Sequence, residues 1–329
     1  MQSENSSDSS ESAQFFAIII VNPVSRRFLF HTHQFNETIA FLQQHGWRVD
    51  LWYTRMPGDG VQLARKAVAQ KANMVIAAGG DGTINDIIQG LAGTETALGV
   101  LPNGTTNVWA RELGIPIEEA GAREVLVNGQ LRCVDLGCVN DRYFLLMVGI
   151  GLDGEVTHVV EGKALKRLGV IGYALASIWL GPRYSGFPVV VQIDGYVVKT
   201  RALQIIVGNT QLYAGAIKFT WKAQCDDGLL DLCIVRKRNL WGRLVVLWDF
   251  FMRREQRRLW VRYEMVTSIK IETPQPVAFQ IDGEAAGHTP AVFTVAPLAL
   301  KVVVPPKTSE GLFSREVNGT QDTNSIETT

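Results

Sequence analysis

The sequence predicts two domains in series. A Rossmann-like parallel α/β domain covers residues 15–138, and a mostly antiparallel β-sandwich covers residues 139–306. Three observations carry this. Before Cys133, short apolar runs alternate with segments of helical periodicity, as a parallel sheet with crossover helices requires. Those runs end in loops that carry Asn22, Thr54, Gly79 and Gly104, and ligands of such sheets lie at the carboxyl ends of strands. From Cys133 onward, strand-like runs follow one another through turns and helical patterns become few.

The elements can be justified in order. Residues 1–14 are polar, Ser-rich and acidic, and read as a disordered tail. Residues 15–21 form a near-continuous apolar run, which suits a strand buried on both faces, and Asn22-Pro23 ends it. A helix is predicted over 35–44, with Gly46 as its C-terminal cap, then a strand over 47–53 ending at Thr54. A helix over 60–71 leads into the apolar run 74–78. That run ends in Gly79-Gly80-Asp81-Gly82-Thr83, and Ile84, Ile87, Ile88 and Leu91 follow at helical spacing. Residues 97–101 form the next strand, and residues 108–113 a helix stopped by Gly114 and Pro116.

In the second domain, strands are predicted over 134–139, 143–150, 189–193, 196–207, 229–235, 268–272, 277–281 and 300–304. Residues 162–184 interrupt them with an amphipathic helix. Leu165, Leu168, Ile171, Leu175, Ile178 and Trp179 line one face, and Lys163, Lys166 and Arg167 stand at its start. It reads as a lipid-pocket or membrane-facing helix, or as one packed on the sheet. Residues 236–262 interleave Arg236, Lys237, Arg238, Arg243, Arg253, Arg254, Arg257, Arg258 and Arg262 with Trp241, Trp248, Phe250, Phe251 and Trp260. An anionic bilayer, a single-stranded nucleic acid or a solvated basic helix would each explain that pattern. Residues 307–329 are polar and read as a disordered tail.

Composition narrows the function. The 32 Lys and Arg balance 32 Asp and Glu, so nothing global argues for nucleic acid. The four cysteines show no paired metal-ligand spacing and read as buried free thiols in a reducing compartment. The five histidines form no spaced cluster. No secretory signal is visible, and no stretch reaches the roughly 20 apolar residues that a spanning helix needs. A cytoplasmic protein able to touch a membrane face is expected.

The chemistry concentrates after the central strand. Gly79, Gly80 and Gly82 let the backbone turn sharply and let a ligand approach it closely. The helix start offers unpaired N–H groups and partial positive charge, which suits a phosphate. Thr83 can cap that helix and also bond a phosphate oxygen. Asp81 would repel a phosphate directly, so an acid there implies a metal ion or a proton to handle. The plainer alternative is a glycine turn with Asp81 as a local cap. Pro102-Asn103-Gly104-Thr105-Thr106-Asn107 again sets glycine and hydroxyls before a helix, where Asn107 could instead be its cap. Asp227-Gly228 and Asp282-Gly283 are each turn signals. The string Gln-Ile-Asp-Gly occurs at 192–195 and again at 280–283, with Tyr196 after the first copy and Glu284 after the second.

These blocks together resemble the diacylglycerol kinase catalytic family, which includes sphingoid-base kinases and bacterial lipid kinases. The blocks are Gly79-Gly80-Asp81-Gly82-Thr83, the 101–107 loop, Asp227-Gly228-Leu229-Leu230-Asp231-Leu232 and Asp282-Gly283-Glu284, in the family's order, and the likeness runs from about residue 17 to about 305. The resemblance implies an ATP- and Mg²⁺-dependent lipid kinase of phospholipid metabolism. ATP would lie on Asn22, Ser25, Thr54, Gly79, Gly80, Asp81, Gly82, Thr83, Asn85, Gly104, Thr105, Thr106 and Asn107. Glu284 is the implied general base, with Asp81 as the rival. A structural Mg²⁺ would be held by Asp227 and the carbonyls of Gln224 and Leu229; a metal-free turn is the alternative. The last strand is expected to return to the first domain. Two departures stand out: Arg26-Arg27 replace a glycine of the first loop, and Val108 stands where many members carry Asp. The implied partners are a lipid substrate, a peripheral membrane surface and a second copy of the chain, with no nucleic acid. A kinase of soluble dinucleotides, resembling NAD kinases, and a non-catalytic nucleotide- or lipid-binding regulator remain open.

Overall fold

Residues 14–23, 32–161, 170–213, 217–252, 260–309 and 311–314 are described in the computed structural model. The chain starts as a strand-helix alternation: β1 (Phe16–Val21), α1 (Thr32–Gln44), β2 (Arg48–Tyr53), α2 (Asp59–Ala69), β3 (Met74–Gly79), α3 (Asp81–Leu91) and β4 (Ala97–Pro102). β1 pairs in parallel with β2 and β3, and β3 pairs in parallel with β4, giving the order β2-β1-β3-β4. β1, β3 and β4 are buried along their whole length, as apolar runs covered on both faces must be. Because all four strands run parallel, their carboxyl ends lie at one rim.

Next come α4 (Val108–Leu113), α5 (Glu119–Asn128), β5 (Gln130–Val139), β6 (Arg142–Phe144), β7 (Met147–Gly151), α6 (Leu152–Val160) and α7 (Val170–Leu180). The remainder is β8 (Phe187–Ile193), β9 (Tyr196–Gly208), β10 (Leu212–Tyr213), β11 (Ile217–Lys218), β12 (Leu230–Arg236), α8 (Leu240–Phe251), β13 (Val261–Val266), β14 (Ser268–Glu272), β15 (Ala278–Ile281), β16 (Glu284–His288) and β17 (Ala291–Val304). Nearly all pairing here is antiparallel. β9 changes partners along its length within one continuous sheet: its first half pairs with β8, its second with β7 and β12. Such switches are how a sandwich turns its corners. The enclosed core alternates along the strands, with Val189, Val191 and Ile193 facing Ile205, Leu232, Ile269 and Phe293.

β17 joins the halves. It pairs antiparallel with β5 and β14, and it meets β4 in parallel at Val302 and Leu98. The last strand therefore does return to the first sheet, but it begins at Ala291 rather than at residue 300.

Four further departures have physical reasons. The strand predicted over 143–150 is two, because the amides of Leu145, Leu146 and Met147 turn aside to the Asp282 carboxylate. α5 and α6 go unpredicted: Ala122, Val125 and Leu126, and Leu152, Val156 and Val160, do recur at helical spacing, but over only ten and nine residues. β16 is small and polar in sequence, and β13 lies partly inside the basic-aromatic stretch. The C-terminal tail is not wholly free: Leu312 and Phe313 are buried, and Cys225 donates its amide to the Leu312 carbonyl at 2.8 Å. Ser25, Arg26, Arg27, Lys163, Leu165, Lys166, Arg167, Leu168, Arg253, Arg254, Arg257 and Arg258 lie outside the described residues.

Candidate active site

The loops that follow β1 to β4 are stitched to one another. Asn22 donates its amide to the Ala78 carbonyl (3.2 Å), Thr54 to Val21 (2.9 Å) and Asn103 to Gly79 (2.9 Å). The Asn22 side-chain amide donates to the Thr83 hydroxyl at 3.3 Å. Gly80 and Gly104 meet backbone to backbone: a Cβ on Gly104 would stand 2.5 Å from the Gly80 Cα. Only glycine permits that approach. Thr105 is exposed beside this contact and Thr106 half-exposed. The first turn of α3 starts here, and its leading N–H groups have no partner within the helix. Thr83 is not the cap: Gly80 holds that position, and Thr83 lies inside the first turn.

Asp81 performs a task that the sequence suggested only in local form. Its two carboxylate oxygens accept from the amides of Val108 (3.0 Å) and Trp109 (3.1 Å), so it caps α4 rather than its own helix. Asn107 occupies the cap position of α4, but with φ 49° and no capping bond from its side chain. Its side chain bonds Gly104 instead, accepting from the amide (2.8 Å) and donating to the carbonyl (2.9 Å). Val108 contributes only its backbone to this joint. Burial pushes the Asp81 pKa up, and the Val108 and Trp109 amides oppose the rise without cancelling it.

Glu284 arrives from the other half. It follows the β15–β16 turn, where Asp282 has φ 48° and Gly283 φ 90°, the two left-handed residues of a tight hairpin. Its carboxylate crosses to the glycine loop: a Cβ on Gly82 would stand 2.5 Å from the Glu284 Oε1. Arg142 sits beside it, with Nη2 3.5 Å from Oε2, and donates to the Asn85 Oδ1 at 2.7 Å.

The turn is locked from beneath. Asp282 accepts from the Leu145, Leu146 and Met147 amides at 2.9 Å each and from the Asn85 Nδ2 at 2.8 Å. Burial drives its pKa up, and those bonds work against the rise. The Gly283 amide donates to Gln280 (2.7 Å), whose other end donates to the buried Asp153 (2.8 Å). The Tyr213 hydroxyl donates to the second Asp153 oxygen. From above, the Tyr173 hydroxyl on α7 donates to the Gly283 carbonyl at 2.8 Å.

The structure thus brings Asn22, Thr54, Gly79 to Thr83, Gly104 to Asn107 and Glu284 to one rim. Asn85 lies below it, 1% exposed, with its amide taken up by Asp282 and Arg142. Arg142, Asp153 and Gln280 were not singled out from sequence. Their partners lie far along the chain, and no local pattern marks them.

Asp227 lies at a separate turn before β12, where its Oδ1 accepts from the Leu229 amide at 3.0 Å. Burial pushes its pKa up, the Leu229 amide lowers it, and the neighbouring Asp135 and Asp226 raise it further. Gln224 and Leu229 stand three residues before and two residues after it in the chain. Asp135 accepts from the Gly228 and Leu298 amides and Asp226 pairs with Arg132, so Asp227 is the carboxylate of this turn that could serve a hard cation. Among the described residues no cluster of three or more His, Cys, Asp or Glu side chains is spaced for a metal, so carbonyl oxygens would have to complete any such site.

Comparison with known proteins agrees with this layout. Residues 16–139 match the model of the diacylglycerol kinase catalytic domain, and residues 146–304 match that of the YegS C-terminal NAD kinase beta sandwich-like domain. The chain is 32% identical to the diacylglycerol kinase of Bacillus subtilis (strain 168), over 90% of this chain and 98% of that one. It is 30% identical to the diacylglycerol kinase of Staphylococcus carnosus (strain TM300), over 88% and 95%. A crystal structure from Bacillus anthracis str. Sterne, of a protein provisionally assigned as a diacylglycerol kinase, superposes with a TM-score of 0.77 at 27% identity, covering 89% of this chain and 98% of that one.

Proposed function

The chain belongs to the diacylglycerol kinase catalytic-domain family, and from that premise we propose that it is a lipid kinase that moves the γ-phosphate of ATP to a primary hydroxyl of a lipid. The observation that carries the reading is the Glu284 carboxylate lying against Gly82, an acid of the second half at the phosphate-type loop of the first. Residues 15–138 are assigned to nucleotide binding and residues 139–306 to the lipid.

In this mechanism the backbone of Gly79 to Thr83 and of Gly104 to Thr106 holds the triphosphate, with the α3 amides supplying positive potential. Asn22 and Thr54 flank it. Mg²⁺, when bound, offsets phosphate charge and leaves the transfer to positioning and electrostatics; the Asp227 turn with the Gln224 and Leu229 carbonyls would hold a structural ion. Glu284 accepts the proton of the lipid hydroxyl as that oxygen attacks the γ-phosphorus and the bond to the departing ADP oxygen breaks. A base must come within about 2.6–3.2 Å of that hydroxyl, and the hairpin hydrogen bonds keep Glu284 aimed at the rim. Arg142, with Nη2 3.5 Å from the Glu284 Oε2, helps to hold that carboxylate in place. Asp81 holds the two phosphate loops together through the start of α4. The acceptor is a diacylglycerol, a sphingoid base or a glycerophospholipid.

The test is transfer from labelled ATP to a total lipid extract, with mass spectrometry of the product. Label in the organic phase is the expected outcome. A purely aqueous product would point to a soluble acceptor, and ATP binding without transfer would leave a regulator.

A further inference from the structure

Glu112 stands near the end of α4 and is only 2% exposed. A carboxylate at that depth is costly unless it is well hydrogen-bonded. Its Oε1 accepts from the Gln211 amide and its Oε2 from the Leu212 amide, each at 2.9 Å. A glutamine of the same shape would set an N–H against one of those amides, and a leucine would fill the space while holding neither. An acceptor-only side chain is what fixes the backbone of residues 211 and 212 against α4.

That backbone leads into β10. Among the described strands, β10 and β11 pair only with each other and stand apart from the main sheet. Side-chain bonds hold this ribbon in place. Lys218 of β11 donates to the Gln211 Oε1 at 2.6 Å, and Gln211 donates in turn to the carbonyls of Ala223 (3.0 Å) and Gly311 (3.1 Å). On β10, the Tyr213 ring meets Phe219 edge-on at 5.2 Å, and its hydroxyl donates to Asp153.

From Tyr213 the bonds run on to the proposed base. Asp153 accepts from Tyr213 on one oxygen and from the Gln280 Nε2 on the other, at 2.8 Å. That settles which end of the Gln280 amide faces the hairpin, and its Oε1 accepts from the Gly283 amide at 2.7 Å. Were Gln280 to turn over, its NH₂ would oppose the Gly283 N–H and the hairpin would lose that anchor. Glu284 is the next residue. The other end of α4 belongs to the glycine loop: Asp81 accepts from the Val108 and Trp109 amides, and a Cβ on the adjoining Gly82 would stand 2.5 Å from the Glu284 Oε1. The contacts thus close into a ring, from the glycine loop through α4, Glu112, Tyr213, Asp153 and Gln280 back to Glu284.

We propose that Glu112 is a positioning residue, which couples the nucleotide loop to Glu284 through α4 and the Tyr213–Asp153–Gln280 bonds. It acts by holding Glu284 in register with the loop, not by touching a reacting atom. The assignment deepens the kinase reading and rests on it for its effect on turnover.

The experiment uses the full chain with Glu112→Gln and Tyr213→Phe, each alone and combined with Glu284→Gln. Transfer from labelled ATP to a total lipid extract is measured, and hydrogen exchange over residues 279–288 is followed by mass spectrometry. Each single variant should lower kcat by about tenfold or more, the cost of a misplaced base, while KM for ATP stays within about threefold. In the Glu284→Gln background the same changes should lower kcat no further, because the group they position can no longer take up a proton. Exchange over 279–288 should quicken in both single variants. Tyr213→Phe removes a single hydroxyl, so it decides the outcome if Glu112→Gln fails to fold. A kcat for Tyr213→Phe within about twofold of wild type overturns the proposal, as do losses that multiply in the Glu284→Gln background, the mark of a general loosening of the fold. If wild type transfers label to no lipid, the kinase reading fails and exchange alone decides: faster exchange over 279–288 sustains the positioning role, and unchanged exchange overturns it.

Discussion

Glu284 carries the heaviest single assignment. Glu284→Gln keeps the shape and an acceptor oxygen but cannot take up a proton. Transfer should fall by about 10²–10⁴-fold, the usual worth of a positioned base. The side chain is 40% exposed, so its loss should hardly move the urea midpoint. Turnover within a few-fold of wild type would assign the proton elsewhere. Asp81, the rival, already spends both oxygens on the α4 amides, which leaves it holding geometry. That division of labour was half legible in the sequence. Asp-Gly-Glu marked Glu284, whereas the reach from Asp81 to residue 108 depends on how two loops pack.

The repeated string Gln-Ile-Asp-Gly gives the hairpins an internal control. Both copies form the same turn, with Gly195 at φ 101° and Gly283 at φ 90°, and neither glycine meets another group where a Cβ would go. Alanine at either position should cost about 1 kcal/mol from the strained backbone alone. Only Gly283→Ala re-aims Glu284, so only it should lower kcat; a similar loss from Gly195→Ala would detach turnover from this hairpin. The sequence displayed both turns, yet it did not show that Asp194 bonds Thr267 and Ser268 on the surface while Asp282 is buried against Leu145 to Met147. On β12, burial raises the Asp231 pKa to about 7, with the Tyr263 hydroxyl bond opposing the rise, and one carboxylate oxygen has no partner. An acid whose pKa rises on folding adds stability that is complete below its unfolded value and is lost as pH climbs through the folded value. Asp231 therefore removes stability between about pH 4 and pH 7, on the order of 4 kcal/mol at most. Asp231→Asn, neutral throughout, should gain progressively on wild type in urea unfolding as pH rises from about 4 to about 7. A constant difference would place the titration elsewhere.

Periodicity revealed which segments are strands, because buried parallel strands are written as apolar runs. It did not reveal that the halves share one fabric, since the contacts that join them link residues distant in sequence. β17 is paired with β4, β5 and β14 at once, and Asn85 of α3 is bonded to Asp282 of the second half. One buried cluster runs from Ile19 and Ile76 through Val303 to Leu203, Val235 and Phe250. Separating the halves would part β17 from β4, open that cluster and leave the Asp282 carboxylate without its Asn85 partner. Each step costs more than a hinge between independent domains would. Calorimetry should therefore show one transition whose van't Hoff and calorimetric enthalpies agree. A nonhydrolysable ATP analogue at about a hundred times its Kd should raise that single transition by the equivalent of about 2.7 kcal/mol, although the nucleotide touches mainly the first half. Two transitions, with only the first moved by the analogue, would mean that β17 and Asp282 do not couple the halves. In that case Glu284 would reach Gly82 only when a separate closure brings it there.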